Sequence, residues 1–422
     1  MGAEQTETTG TKDVSQAMGD PVRLRRVFYI PGFDPIHPRR YRELYRKESA
    51  AQAGISGYEI SLHPKRLEGP YGWHVRASME GHASESDIQV LYWADLVRDG
   101  MDQGVLQTYL QLIRTAWIYI SSGALWRLMQ LRKGPVIAAL YPVVFLLLQL
   151  GLAFMLAWGL GQGLGLLHPT LAWGGLVAVP LVLRWFQKQD GKFFAYYLMH
   201  DYAYSAQLKG ANPPELETRL AAFQSLIAAA LQGDLDEVLV VGHSSGAHLA
   251  VSILADLIRA GQVPEEGPKL SFLSLGQVVP MVSFLPRAER LRGDLHYLSA
   301  RSELFWYDVT APGDGCAFAL CDPVAVSGVA PSDKRWPIVV SAAFTQTLSP
   351  QRWSALRWRF FRLHFQYLCA FDRPGDYDYF RITAGPQSLQ SRFDGRKASA
   401  SRLEDPVSKY TSVAFGKGSQ CQ

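Results

Sequence analysis

Between Gly134 and Leu183 the chain carries no Asp, Glu, Lys or Arg, a run of 50 residues in a 422-residue protein of which 19% is charged. A helix needs about 20 apolar residues to cross roughly 30 Å of hydrocarbon. The run therefore accommodates two spans: Pro135 to Leu160, a Gly-rich bend over Gly161, Gly163 and Gly165 followed by His168-Pro169, and Leu171 to Trp185. The second span is short unless it begins near Leu164. Tyr141, Trp158, Trp173 and Trp185 fall near the expected interfaces. The competing reading is a helical hairpin inside a large soluble core, but soluble helices usually keep a polar stripe and this run has none.

Orientation is read from the flanks. Arg127, Arg132 and Lys133 precede the run, Arg184, Lys188 and Lys192 follow it, and the connecting loop is uncharged, so both ends are expected on the cytoplasmic side. Residues 134–186 are thus expected to be a transmembrane hairpin in contact with membrane lipids, in a two-span protein of a bacterial inner membrane. Met1 to Gly19 is polar and lacks the apolar core of a secretory signal. Of the four cysteines, Cys316 and Cys321 lie close together while Cys369 and Cys421 stand apart; none has metal-ligand spacing, and all are expected as reduced thiols.

The second constraint is Val238-Leu239-Val240-Val241-Gly242-His243-Ser244-Ser245-Gly246-Ala247-His248-Leu249-Ala250. The apolar run Val238 to Val241 suits a parallel strand buried on both faces. Leu249, Ala250, Ile253, Leu254 and Leu257 recur at helical spacing, so Ser244 falls on the turn between strand and helix. Gly242 and Gly246 flank it where side chains would collide. Such an elbow exposes the Ser244 hydroxyl and aims the Ser245 amide, at a helix N-terminus, toward a developing oxyanion. The plainer reading of Ser244 is a helix N-cap. His243, in the motif's variable position, and His248, one turn into the helix, are not candidates for the base.

A serine nucleophile needs a base and an acid. On α/β-hydrolase sheets the order is nucleophile, acid, histidine, and beyond the elbow helix only His296 and His364 remain. His296 comes before any suitable acid and belongs to a helix or its end. His364, after the strand expected over Ile338 to Ala342, is left as base, with a satisfied core histidine as its alternative. Leu304 to Val309 reads as a strand and Thr310 to Gly315 as the loop at its carboxyl end, where functional groups gather in parallel sheets. Asp314 is the expected acid, Asp308 the second choice and Asp322 the third; an ordinary turn aspartate is the alternative for Asp314. A second oxyanion donor is expected at the Phe33 amide, where the strand Arg26 to Ile30 ends in Pro31-Gly32-Phe33-Asp34-Pro35, unless that is only a tight turn before a helix over Tyr41 to Ala53.

Through Gly242-His243-Ser244-Ser245-Gly246, the Val309 to Asp314 segment and His364, in that order, the chain resembles the α/β-hydrolase superfamily of serine esterases and lipases. Leu273-Ser274-Leu275-Gly276 is similar to the strand end that such lipases place after the elbow helix. The resemblance spans residues 22 to 385, with only the elbow specific. It departs at the oxyanion loop, where Pro31-Gly32 stands in place of the usual His-Gly, and in the large insertion before the elbow. It implies an α/β-hydrolase fold with a mostly parallel sheet, no cofactor or metal, and cleavage of a carboxylic ester, with an acyl ester or lipid as the substrate. Thioester cleavage uses the same machinery. The rival class is a non-catalytic membrane scaffold binding lipid or a partner on that fold.

The expected organisation is a disordered tail over 1–21, hydrolase parts over 22–133 and 187–387 on either side of the hairpin, and a second polar, disordered tail over 388–422. Strands near Tyr58 to Leu62, Trp73 to Ser78 and Ile88 to Trp93 extend the sheet, and helices near Phe193 to Ser205 and Pro214 to Leu231 lead into the elbow. Residues 105–131 read either as an interfacial helix or as a packed helix of the domain. Arg352, Arg357, Arg359 and Arg362 with Trp353 and Trp358 form a local basic segment, more readily a solvated face than a headgroup contact. A net charge of +4 without a basic stripe gives no ground for a nucleic-acid partner. A two-span protein stays with the membrane pellet after a carbonate wash; release by carbonate alone would remove the two-span reading.

Overall fold

The computed structural model describes residues 21–34, 37–93, 95–96 and 104–413. Pro35, Cys421 and the expected tail over 1–20 lie outside them. Eight strands, β1 (Leu24–Ile30), β2 (Glu59–His63), β3 (Gly72–Met79), β4 (His82–Val90), β5 (Glu237–His243), β6 (Lys269–Leu275), β7 (Leu304–Thr310) and β8 (Ile338–Ser341), form one sheet in the order β2-β3-β4-β1-β5-β6-β7-β8. The β2-β3 and β3-β4 pairs are antiparallel and the remaining five parallel, so the protein is α/β with a mostly parallel sheet.

β5 is buried at all seven positions, as its apolar run requires. Its side chains alternate between two layers: Val238 and Val240 join the core under helices Pro214–Leu231 and Gly246–Arg259, while Leu239 and Val241 join the core with Tyr41, Tyr45 and Phe380 on the opposite face. After β1 the chain turns to one side to build the β2–β4 meander; from β5 it builds toward the other. The direction of winding therefore reverses between β1 and β5, where a crevice opens beyond the carboxyl ends of the strands. Register puts Ile30 beside Gly242, so the loops after β1 and β5 emerge together.

The charge-free run forms one helix, Lys133–Gly165, of 33 residues, then a 3₁₀ segment Pro169–Val177 continuing into helix Ala178–Lys188. Both arms are long and apolar enough to cross a membrane, and only 28% and 11% of their most apolar windows are buried, which is not how a helix in a soluble core sits. The glycines expected to make the bend are helical instead. Gly161 and Gly175 serve the crossing of the arms: a Cβ on Gly175 would lie 2.2 Å from the Ala157 carbonyl oxygen, and one on Gly161 2.8 Å from that of Ala172. The chain reverses at Leu166 to His168, where the His168 side chain accepts from the Thr170 amide. Small residues at Ala153, Ala157 and Gly161 thus let two backbones touch.

The segment 105–131 packs on the domain and also leaves apolar side chains exposed. Helix Val105–Ser121 buries Leu112, Ile118 and Tyr119 against the domain and turns Leu106, Leu110, Ile113 and Trp117 outward.

Residues 388–413, expected as a polar tail, are part of the fold. Helix Leu389–Phe393 buries Leu389 and Phe393, and Phe393 stacks on Tyr307 with ring centroids 4.0 Å apart. Polar composition misled because an internal ion pair anchors the segment. Arg25 and Glu237, on adjacent strands and both fully buried, are 2.5 Å apart. Arg25 also donates to the carbonyls of Gly385 and Gln387, and Glu237 accepts from the Leu389 amide and Ser271. Arg25→Leu would leave Glu237 buried without its cation and is expected to cost about 3–5 kcal/mol. Denaturant titration in detergent checks the loss, and limited proteolysis should then open the chain first at residues 385–393.

Candidate active site

Ser244 sits in the left-handed region, φ 56°, one of few non-glycine residues there among those described. Such a backbone is costly for an L-residue and marks a constrained position. It is fixed from both sides: the Ser244 amide donates to the Leu275 carbonyl over 2.9 Å, and its own carbonyl accepts from Ala247 over 3.1 Å. The tight crossing needs Gly246, whose Cβ would stand 2.1 Å from the Ile30 carbonyl oxygen. The N-cap position belongs to Ser245, without a side-chain cap bond, so the plain capping reading of Ser244 does not apply.

The elbow meets the loop after β1. A Cβ on Gly32 would lie 3.0 Å from Ser244 Cβ and 3.4 Å from its Oγ. The Trp93 indole donates to the Pro31 carbonyl over 2.9 Å and the Tyr197 hydroxyl to that of Phe33, pinning the loop. Among the described residues no hydrogen bond occupies the amides of Phe33 or Ser245. Both residues line one cavity with Ser244.

His364 ends the short helix Phe360–His364 and is buried. Its Nδ1 lies 2.7 Å from Asp314 Oδ2, and its buried Nε2 has no partner. Gly276 after β6 makes room, since a Cβ there would meet the His364 ring at 3.1 Å and Tyr367 at 2.7 Å. Asp314 Oδ2 also accepts from the Tyr367 hydroxyl over 3.0 Å, and Oδ1 from the Cys316 amide over 2.9 Å. Burial works to raise this carboxyl, but His364 together with those two donors holds it below its usual range. An ionised Asp314 accepts the Nδ1 proton and leaves Nε2 as a base.

Asp308 and Asp322 are placed elsewhere. Asp308 lies inside the sheet and accepts from the Ser274 hydroxyl, which accepts from the Trp306 indole. Burial pushes it up to about 8. Asp322 caps helix Pro323–Val326 and pairs with Lys334 at 2.6 Å. His296 faces the Val329 carbonyl from helix Glu289–Ser299, and His248 lines the cavity from the elbow helix, driven down to about 4 by burial.

Two contributors escaped the sequence reading. His243 Nε2 donates to the His364 backbone carbonyl over 3.1 Å, and its Nδ1 faces the Tyr29 hydroxyl at 3.3 Å. Burial, then the neighbouring His364, drives it down to about 3, so it is a neutral strut for the base. Asp201, on helix Ala195–Ala206, lines the same cavity; burial raises its carboxyl to about 7, against the pull of His364. Neither sits in a pattern that spacing could have singled out.

Ser244, His364, Phe33 and Ser245 open into one cavity of about 1060 Å³. Its walls are mostly aromatic and aliphatic, and they extend to the base of the hairpin at Pro135, Ile137 and Tyr141. Cys316 Sγ lies within 4.8 Å of donors on Asp314 and His364. Burial, then Asp314, raises that thiol well above its usual range. The constellation combines a half-buried serine lining the cavity, an oriented imidazole and two unengaged amides, the parts of nucleophilic acyl transfer. Comparison with protein-family models, curated proteins and solved structures gives no match for this chain.

Asp308 also sets a pH dependence of stability. A carboxyl near 8 in the folded state and near 4 unfolded contributes fully below about pH 4, and its contribution is lost as pH rises through about 8. Asp308→Asn should flatten that decline in thermal scans from pH 5 to 9, with Ser274 still able to donate to the amide oxygen.

Proposed function

We propose that the protein is a membrane-anchored serine hydrolase with an α/β-hydrolase fold that cleaves carboxylic esters through an acyl-enzyme. One observation carries the reading: Ser244, strained at a strand-to-helix elbow, shares a cavity with His364, whose Nδ1 is bonded to a buried, ionised Asp314. Ser244 Oγ attacks the ester carbonyl carbon and its proton passes to His364 Nε2. Asp314 holds the tautomer and stabilises the imidazolium. The amides of Ser245 and Phe33 stabilise the oxyanion; removing one such donor typically costs about 10² to 10³ in rate.

Collapse of the tetrahedral species expels the alcohol, which takes the proton from His364. Water, deprotonated by the same imidazole, then releases the acid and restores Ser244. A thiol leaving group would follow the same steps. The hairpin would anchor the domain, with its basic flanks on the cytoplasmic side.

The test is active-site labelling. Purified wild type should react with a fluorophosphonate at Ser244, Ser244→Ala should not, and His364→Ala should lose at least about 10³ in ester turnover. A wild type that stays unlabelled, or labels no better than Ser244→Ala, would favour a non-catalytic scaffold. Turnover surviving in His364→Ala would remove His364 as the base.

A further inference from the structure

The cavity's walls bear on what reaches Ser244. One wall is the base of the apolar helix, with Ile137 and Tyr141; another is formed by Trp358 and by Phe360 at the start of helix Phe360–His364. These walls are close to the acid loop: a Cβ on Gly315 would lie 3.2 Å from the Phe360 ring, and one on Gly134 3.2 Å from Gly315 Cα. The rim is apolar yet open, with Ile137 65% and Trp358 73% exposed. Apolar rims of this kind mark contact with a partner or a membrane.

Depth and charge narrow the choice. Tyr141 lies roughly 12 Å along the helix from Lys133, whereas the headgroup region of a leaflet is only about 5–8 Å thick. With Lys133 set at the water-facing edge of the headgroups and the helix along the membrane normal, the mouth between Ile137 and Tyr141 would span the boundary between headgroups and acyl chains. Lys192, Arg359 and Arg362 line the same cavity, outnumbering its two aspartates, Asp34 and Asp201, and none of the three cations forms an ion pair among the described residues. An apolar slot with a cationic rim at that depth matches an anionic amphiphile, not a soluble ester.

Resting on the hydrolase reading, we propose that the cavity is a lateral portal through which an anionic, ester-bearing membrane lipid enters from the leaflet. It passes between Tyr141 and Phe360, with its phosphate-type headgroup against Lys192, Arg359 and Arg362. Ser244 Oγ bonds to the acyl carbonyl carbon and the ester C–O bond breaks. The glycerol oxygen leaves with the proton held by His364. Water completes the cycle, so lipid plus water gives fatty acid plus lysolipid.

Full-length protein in vesicles of phosphatidylcholine, with or without phosphatidylglycerol, provides the test. Ser244 labelling is timed for a short water-soluble fluorophosphonate and for a long-alkyl one dissolved in the bilayer. The expected wild-type result is labelling at least tenfold faster by the bilayer probe. That ratio should fall at least fivefold in Ile137→Asp and in Phe360→Asp. Wild type should hydrolyse phosphatidylglycerol in preference to phosphatidylcholine, and the preference should drop toward parity in Arg359→Glu. A wild-type ratio near one, or a ratio unmoved in both mouth variants, overturns the portal while leaving the hydrolase reading intact. Absence of labelling by the short probe in wild type overturns the hydrolase reading itself. The wild-type ratio stands whatever a variant does to folding.

Discussion

Backbone meets backbone at the carboxyl ends of β1 and β5, and the rest of the site is arranged around that contact. The elbow helix can start beneath Ile30 only because Gly246 has no side chain, and the loop after β1 can lie on Ser244 only because Gly32 has none. A methyl group at Gly246 would force the helix away from the sheet. The Ser245 amide would then leave the face where Phe33 presents its own. Close approach also explains how a strained residue is held. Ser244 stays left-handed because a bond to β6 on one side and a bond to its own helix on the other leave the backbone no cheaper path.

Environment separates two aspartates that the sequence places six residues apart. Among the described residues only the Ser274 hydroxyl donates to Asp308 in the sheet interior, and burial together with the nearby Asp322 favours the neutral form. Asp314 is equally buried, but an imidazole, a phenol and an amide all donate to it, which outweighs desolvation. Burial alone would have favoured neither as acid. The donors make the difference.

Much of this was legible in the residues, for identifiable reasons. β5 and the elbow announce themselves because strand and helix periodicities meet at one serine. The order Ser244, Asp314, His364 picked out two side chains that line one cavity, Ser244 and His364, and a third, Asp314, bonded to His364 behind it. The charge-free run fixed the hairpin's existence, but its bend was misplaced because glycine suits a close helix crossing as well as a turn. The packed segment 388–413 was missed because composition cannot reveal that Arg25 and Glu237, 212 positions apart, form a buried pair that holds it. His243 was set aside as a variable motif position; its bond to a main-chain carbonyl leaves no trace in residue spacing.

The hairpin's place in the chain also orders events during synthesis. β1 must pair with β5, and every residue of both apolar arms is made between them. The half that contains β1 to β4 therefore waits with one long parallel edge unpaired until both apolar arms have been made and the elbow strand has followed. Such non-local closure is slow, and an open edge invites wrong partners. A nascent chain whose two arms stayed unpacked would hold its central ladder open beside a charge-free run of 50 residues, so placing the hairpin and completing the site are one kinetic event.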